Sequence, residues 1–123
     1  MIIGKINANV EAVVNLVVVG PDESEVDVDA LIDTGFSGDL TLPPDVIDTL
    51  QLIWLGRQLG ILADGSTDLI DVYLAVVQWD GSRRDVEIDA AITQPLVGMN
   101  LLLGHSLQIE VVENGVVAIA PLA

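Results

Sequence analysis

The 123-residue chain contains no cysteine, 3% aromatic residues, and four basic side chains against 19 acidic ones. The absence of cysteine excludes disulfide bonds, zinc–thiolate sites and thiol catalysis. The formal net charge of −15 at pH 7 argues against nucleic acid and anionic membrane surfaces as partners, because binding them normally needs Lys and Arg to displace counterions. A single histidine, His105, leaves a serine triad without support, and we expect it to lie at the surface or in a turn.

Aliphatic residues are abundant, and 51% of the chain is hydrophobic, which predicts a packed core rather than disorder. The length predicts a single domain spanning residues 1–123. The apolar stretch Ala12–Gly20 is too short to cross a bilayer, and no basic segment followed by an apolar signal region is visible near Met1. We therefore expect a cytoplasmic protein with no membrane partner.

Valine-rich runs predict a mainly β fold, because branched side chains suit the pleated strand. Ile2–Val19 is predicted to form one long strand or a bent pair, and Val26–Ala30 alternates apolar and acidic residues with the period of a strand. Leu40–Leu42 is a short predicted strand, Pro43-Pro44 begins a short helix, and Leu96–Gly104 combines a strand end with a helical turn.

Further strands are predicted to pair as hairpins at Asp-Gly or Asn-Gly turns, since these residues accept positive φ at low cost. The pairs are Gln58–Leu62 with Thr67–Val77 around Asp64-Gly65, Ala75–Trp79 with Arg84–Ala90 around Asp80-Gly81, and Leu107–Glu113 with Val116–Pro121 at Asn114-Gly115. No glycine-rich phosphate-binding motif occurs, so no nucleotide cofactor is expected.

One segment joins a reactive side chain to an unusual backbone environment. An apolar strand ending at Ile32 delivers Asp33 to a loop in which Thr34 offers a hydroxyl and Gly35 permits close backbone approach. A lone carboxylate does little, whereas two carboxylates about 3 Å apart share a proton and act in turn as base and acid. A short chain with one such aspartate therefore predicts a twofold dimer that supplies the second one.

Two signatures follow one another along the chain. The first is ALIDTG, which contains Asp33, Thr34 and Gly35, and the second is TQPLVGMNLLLG, an apolar pair, a glycine, a variable residue and an Asn before leucines. In this order they resemble the signatures of the retropepsin-like aspartic proteases. GILADGSTDLIDV lies between them, where that family has its flap hairpin. The resemblance implies a closed β-barrel of the acid protease fold, with one or two short helices, that works as a homodimer.

The resemblance also implies an aspartic endopeptidase in which Asp33 of each chain flanks one water that attacks a peptide bond. Thr34 then bonds across the twofold axis, and Gly35 exposes its backbone to the substrate. It implies no metal and no cofactor. The flap residues that bind the peptide or protein substrate are Ala63, Asp64, Gly65 and Ser66, and the residues that support the catalytic loop are Val97, Gly98 and Asn100.

Two positions depart from the viral members of that family. Where those proteins pair an arginine of the second signature with an acid that follows the catalytic motif, this chain has Met99 and Ser37. Because both partners are replaced together, neither charge is left unpaired.

A shared-proton aspartate pair and the relief of acidic repulsion predict activity and dimerisation that improve between roughly pH 6 and pH 4.

Other interpretations of these residues stay open at this point. Asp33 before Thr-Gly can serve simply to cap a turn, and the chain can be a non-catalytic dimeric peptide-binding module, since a fold does not determine a function. Trp54 and Trp79 are predicted to lie in the core or at an interface. The acidic stretch Asp22–Asp29 lacks the glycine and closing glutamate of a calcium loop, so a solvated turn is preferred.

Overall fold

The computed structural model describes residues 1–62 and 64–123 of the chain. In these residues the fold consists mainly of strands, with two short helices. The elements, in chain order, are β1 (Ile2–Ile6), β2 (Ala12–Val19), β3 (Glu25–Ile32), β4 (Leu40–Leu42), α1 (Pro44–Leu50), β5 (Ile53–Ile61), β6 (Thr67–Trp79), β7 (Ser82–Ala90), β8 (Leu96–Val97), α2 (Met99–Leu102), β9 (His105–Ile109) and β10 (Val116–Pro121).

Six of the strands form a ring around the core. They follow one another in the order β2-β3-β8-β4-β7-β6, and the antiparallel pairing of β6 with β2, from Val17 opposite Gln78 to Val19 opposite Val76, closes the ring. The predicted closed β-barrel is therefore better described as an irregular ring of strands, because β4 and β8 contribute only three and two residues to it. The mainly β class with two short helices is confirmed.

Aliphatic side chains fill this ring, as the low aromatic content requires. Val18 on β2, Leu40 on β4, Val77 on β6, Ile88 on β7 and Val97 on β8 have no exposed surface. Each comes from a different strand, so the burial of these side chains ties the short strands β4 and β8 to the long ones. The segment that carries Asp33 is thus attached to the best-packed part of the molecule.

Two extensions leave the ring. Strand β5 pairs with the first part of β6, from Ile61 opposite Thr67 to Ile53 opposite Leu74, and the two form a projecting hairpin. At the other end of the sheet, β1 pairs with β10, and β10 pairs with β9. Ile2 lies opposite Ile119, so these terminal strands form a sheet within the single chain.

Several predicted boundaries hold and others were wrong. Ile2–Val19 is a pair of strands, and the Asp80-Gly81 turn has positive φ at both residues, as predicted. The strand predicted to start at Gln58 starts at Ile53, because a bulge between Trp54 and Gly56 lets the pairing continue past the glycine. The strand predicted to run to Glu113 ends at Ile109.

The two tryptophans lie in different environments. Trp79 is 5% exposed and belongs to the core, whereas Trp54 is 57% exposed on the outer strand β5.

No helix among the described residues is long and apolar enough to pass through a membrane.

Candidate active site

Strand β3 delivers Asp33 to the loop of residues 33–39, which we call the DTG loop. The strand ends in parallel pairing with β8, with Ile32 beside Val97. The amide of Asp33 continues this pattern by donating to the Val97 carbonyl at 2.9 Å. The Asp33 side chain accepts a hydrogen bond from the Gly35 amide at 2.9 Å, and Asp33 stays partly exposed. Asp33 therefore caps a local turn, which was the simpler interpretation of this residue, and it still remains accessible to solvent.

The segment from β8 into α2 holds the DTG loop from behind. The amides of Gly98, Met99 and Asn100 donate to the carbonyls of Asp39, Phe36 and Gly38 at 2.9, 2.8 and 3.1 Å. Gly98 allows this close approach, since a Cβ there would lie 2.1 Å from the Gly38 carbonyl oxygen. The second sequence signature thus supports the DTG loop through backbone hydrogen bonds.

A carboxylate that the sequence analysis did not single out, Asp39, ties this support together. Its Oδ1 accepts from Asn100 Nδ2 at 2.7 Å, and its Oδ2 accepts from the Glu87 amide of β7 at 3.0 Å. Two bonds to a charged acceptor are stronger than bonds between neutral groups. The last residue of the DTG loop is therefore anchored both to α2 and to β7.

Thr41 makes a second link of this kind. It is 5% exposed, and its hydroxyl oxygen accepts from the Leu96 amide at 3.0 Å. A buried hydroxyl needs such a partner, because an unpaired polar group inside the protein is costly. The bond connects β4, which follows the DTG loop, to the start of β8.

The DTG loop faces a cleft of about 1150 Å³ that is open on one side. Asp33, Gly35 and Asp39 line it, and so does the projecting hairpin. The hairpin residues that line it are Gln58, Leu59, Gly60, Ile61, Leu62 and Ile70. The hairpin predicted to be a flap therefore lines the same cleft as Asp33.

Three of the four predicted substrate-binding residues lie at the tip of this hairpin. Ala63 lies outside the described residues, while Asp64, Gly65 and Ser66 are exposed. The Ser66 hydroxyl and amide both donate to Asp64, and these bonds lower the pKa of that carboxyl. The residues that line the described cleft come from the shaft of the hairpin rather than from these tip positions. Their role in binding stays a prediction.

Acidic groups dominate the charge of the cleft. The ionisable side chains that line it are Asp33, Asp39, Glu87 and Asp89. Burial raises the pKa of Asp89, and the negative charges of Glu87 and Asp39 raise it further. A carboxyl in this position is harder to ionise than an exposed one.

The shaft of the hairpin carries a charged brace on its exposed surface. Asp71 on β6 accepts from Trp54 Nε1 at 3.1 Å and from Arg57 Nε at 3.0 Å, both on β5. The hydrogen bond from Arg57, followed by that from Trp54, lowers the pKa of Asp71. Trp54, which the sequence analysis placed in a core or an interface, thus links the two strands of the hairpin.

The structure brings together the predicted residues of both signatures. Asp33 and Gly35 line the cleft, Val97 and Gly98 are buried under the DTG loop, and Asn100 bonds to it. Thr34 is exposed beside them. Asp39 and Asp89 were missed, since the acids of so acidic a chain resemble solvated surface groups until the fold shows what they contact.

The two positions that depart from the viral pattern lie at the surface of this site. Ser37 is exposed within the DTG loop, and Met99 at the start of α2 is 48% exposed. Within residues 1–62 and 64–123, no group of three or more His, Asp or Glu side chains is arranged to hold a metal ion.

No protein-family model and no curated protein matches the chain. Solved structures similar to it include two proteases. A retropepsin-like aspartic protease from Rickettsia conorii aligns with a TM-score of 0.63 and 18% identity, over 99% of this chain and 91% of that one. EIAV protease, solved in complex with the inhibitor HBY-793, aligns with a TM-score of 0.56 and 15% identity, over 75% of this chain and 85% of that one. The chain therefore has the retropepsin-like fold.

Proposed function

We propose that the protein is an aspartic endopeptidase that hydrolyses peptide bonds at the interface of a homodimer. The observation that carries the proposal is the position of Asp33. Asp33 is partly exposed and lines a cleft that a projecting hairpin also lines, in a chain with the retropepsin-like fold. Both similar structures are proteases by name, and the one from Rickettsia conorii is named as a retropepsin-like aspartic protease, which supports the assignment.

The proposed chemistry needs two copies of Asp33. One ionised carboxylate takes a proton from a water molecule, and the water oxygen attacks the carbonyl carbon of the peptide bond. The other carboxyl gives its proton to the carbonyl oxygen, which forms a tetrahedral intermediate. Proton transfer to the leaving nitrogen then accompanies cleavage of the C–N bond. Two carboxylates that share one proton suit these alternating roles.

The exposure of the DTG loop supports the proposed dimer. Thr34, Gly35 and Ser37 are exposed in the single chain, beside the partly exposed apolar side chain of Met99. Each subunit carries a formal charge of −15, and screening at physiological salt limits repulsion to about 8 Å. A dimer whose acids stay away from the contact is therefore electrostatically feasible.

Substrate binding is proposed to use the hairpin wall. An extended peptide in the cleft lies between the DTG loop and the shaft of the hairpin, where Leu59, Ile61 and Ile70 offer apolar contacts. The flap tip, Asp64 to Ser66, closes over the peptide and pairs with its backbone, a recognition mode based on strand addition.

The test is a peptide-library cleavage assay at pH 4, 5 and 6 with wild type, Asp33→Asn and Asp27→Asn. Asp27 is an exposed acid on β3, the strand that leads to Asp33, so its change to Asn makes the same charge difference away from the cleft. We expect cleavage by wild type and Asp27→Asn, with a loss of at least a thousandfold in Asp33→Asn. Sedimentation of the same samples reports the dimer.

The alternative function gives a different result in this assay. A stable dimer that cleaves no peptide at any of the three pH values would show a non-catalytic binding module and overturn the enzymatic proposal. Equal cleavage by wild type and Asp33→Asn would also overturn it, because the activity would then come from another group.

A further inference from the structure

Helix α2 is one turn long, and side chains from two strands bind its last carbonyls. Such carbonyls have no partner within a helix. Arg84 of β7 donates from Nη1 to the Leu101 carbonyl at 3.0 Å and from Nη2 to the Asn100 carbonyl at 3.3 Å. Nδ1 of His105, at the start of β9, lies 3.1 Å from the Leu103 carbonyl oxygen. The end of α2 is therefore held by polar side chains as well as by packing.

Trp79 connects the two side chains that hold α2. Its Nε1–H donates to His105 Nε2 at 3.1 Å, and the two rings meet edge to face with centres 5.6 Å apart. Since Nε2 accepts this bond, the proton of the neutral imidazole is on Nδ1, which donates to Leu103. The guanidinium carbon of Arg84 lies 6.0 Å from the centre of the Trp79 ring, at the limit of a cation–π contact.

Asn100 transmits this restraint to the DTG loop. Its carbonyl accepts the hydrogen bond from Arg84, while its side-chain amide donates to Asp39 and its backbone amide donates to Gly38. The same residue is thus bound by Arg84 on one side and by the DTG loop on the other. A displacement of α2 changes the position of the loop that carries Asp33.

We propose that Arg84 is a positioning residue of this site, which holds α2 and thereby the DTG loop in place. The inference rests on the proposed protease function. Met99, the first residue of α2, offers no charge for bracing that helix, and Arg84 supplies a cation to it from a neighbouring strand of the same chain. Arg84 does not line the cleft, so it acts through Asn100 rather than on substrate.

The neighbouring residue provides a matched control. Arg83 is 52% exposed and pairs with the exposed Glu23 on the opposite side of the strand. Replacing either arginine with Gln removes one positive charge at adjacent positions of β7, but only the change at Arg84 removes the bonds to α2. Arg84→Lys keeps the charge and loses the forked pair of donors.

The experiment combines amide hydrogen exchange with peptide cleavage in wild type, Arg83→Gln, Arg84→Gln, Arg83→Lys and Arg84→Lys. In Arg84→Gln we expect the amides of Asp33, Gly98, Met99 and Asn100 to exchange about tenfold faster or more, while amides of β2 and β3 are unchanged. This factor corresponds to the loss of about one charge-assisted hydrogen bond. We expect kcat to fall about tenfold with KM within twofold, and Arg84→Lys to be intermediate.

Each outcome decides the proposal. Equal exchange and equal kcat in the Arg83 and Arg84 variants would overturn it, as would a uniform rise in exchange over the whole chain, which indicates a merely structural role. If Arg84→Gln does not fold, the comparison of Arg84→Lys with Arg83→Lys decides. If wild type cleaves no peptide, the proposed function fails, and selective exchange in the Arg84 variants still shows whether Arg84 positions the loop.

Discussion

The side-chain amide of Asn100 lies 2.7 Å from Asp39 Oδ1, and this contact joins the second sequence signature to the end of the DTG loop across 61 positions of the chain. The other carboxylate oxygen of Asp39 accepts from the backbone of Glu87. One acid thus gathers the DTG loop, α2 and β7. The sequence of an acidic chain does not distinguish such a carboxylate from the other acids. The hydrogen bonds of its two oxygens nevertheless anchor the end of the proposed catalytic loop.

A double-mutant cycle tests this contact. We expect Asp39→Ala and Asn100→Ala each to lower the free energy of unfolding, and the cycle to yield a coupling energy of about 1 to 2 kcal/mol, the range for a hydrogen bond to a charged group. Urea unfolding of the four proteins measures it. Fully additive effects would show that the contact contributes nothing beyond its separate parts.

Gly98→Ala should be among the more damaging small substitutions in the protein. The added methyl lies 2.1 Å from the Gly38 carbonyl oxygen and 2.6 Å from the Phe36 ring, so the DTG loop must shift. We expect a loss of about 3 kcal/mol in unfolding free energy, the upper end for overpacking. Gly81→Ala, which meets open space at φ +83°, should cost only about 1 kcal/mol from its left-handed backbone. Equal costs would contradict the steric explanation.

Asp89→Asn should stabilise the protein at neutral pH. Burial, then Glu87 and Asp39, raise the pKa of Asp89 in the folded state above its value in the unfolded chain. The folded state therefore binds the proton more tightly, and its relative stability falls as the pH rises through the raised pKa. We expect a higher melting temperature for the variant at pH 7 and no difference near pH 3, below both pKa values. A pH-independent difference would rule out this cause.

Met99→Glu tests the proposed dimer contact. Met99 is 48% exposed next to the DTG loop, and a carboxylate placed there in a chain of charge −15 would be repelled and desolvated on association. We expect the dissociation constant of the dimer to rise at least tenfold, as measured by sedimentation equilibrium. Ser82→Glu, in the exposed turn at the start of β7, serves as the control. The same dissociation constant in both variants would place the interface elsewhere.

Local patterns predicted the regular parts of the fold well. Asp80-Gly81 forms its turn with positive φ at both residues, and Pro44 begins α1 as expected. The Asn114-Gly115 prediction was less accurate, because Gly115 serves a different purpose. A Cβ there would lie 1.8 Å from the Glu110 carbonyl oxygen, so this glycine permits a close backbone approach across a loop of residues 110–115. A dipeptide pattern does not distinguish these two uses of glycine.

Side-chain environments were harder to predict than strands. Trp54 lies between apolar residues in the sequence and Trp79 between polar ones, yet Trp79 is buried by contacts from β7 and β9 and Trp54 lies on the outer surface of the hairpin. His105, predicted to lie at the surface or in a turn, is partly buried as the acceptor for Trp79. Burial depends on which strands become neighbours in the ring, and that order is not local.

By itself the sequence determined the mainly β class, the position of Asp33 at the end of an apolar strand, and the order of the two signatures around a hairpin. Backbone preferences and apolar periodicity act over a few residues, so they can be read along the chain. Only the tertiary structure decided that Asp39 bonds Asn100, that Asp89 lines the cleft, and that Arg84 rather than Arg83 reaches α2. These choices depend on contacts between residues 16 to 61 positions apart, which form only when the ring of strands closes.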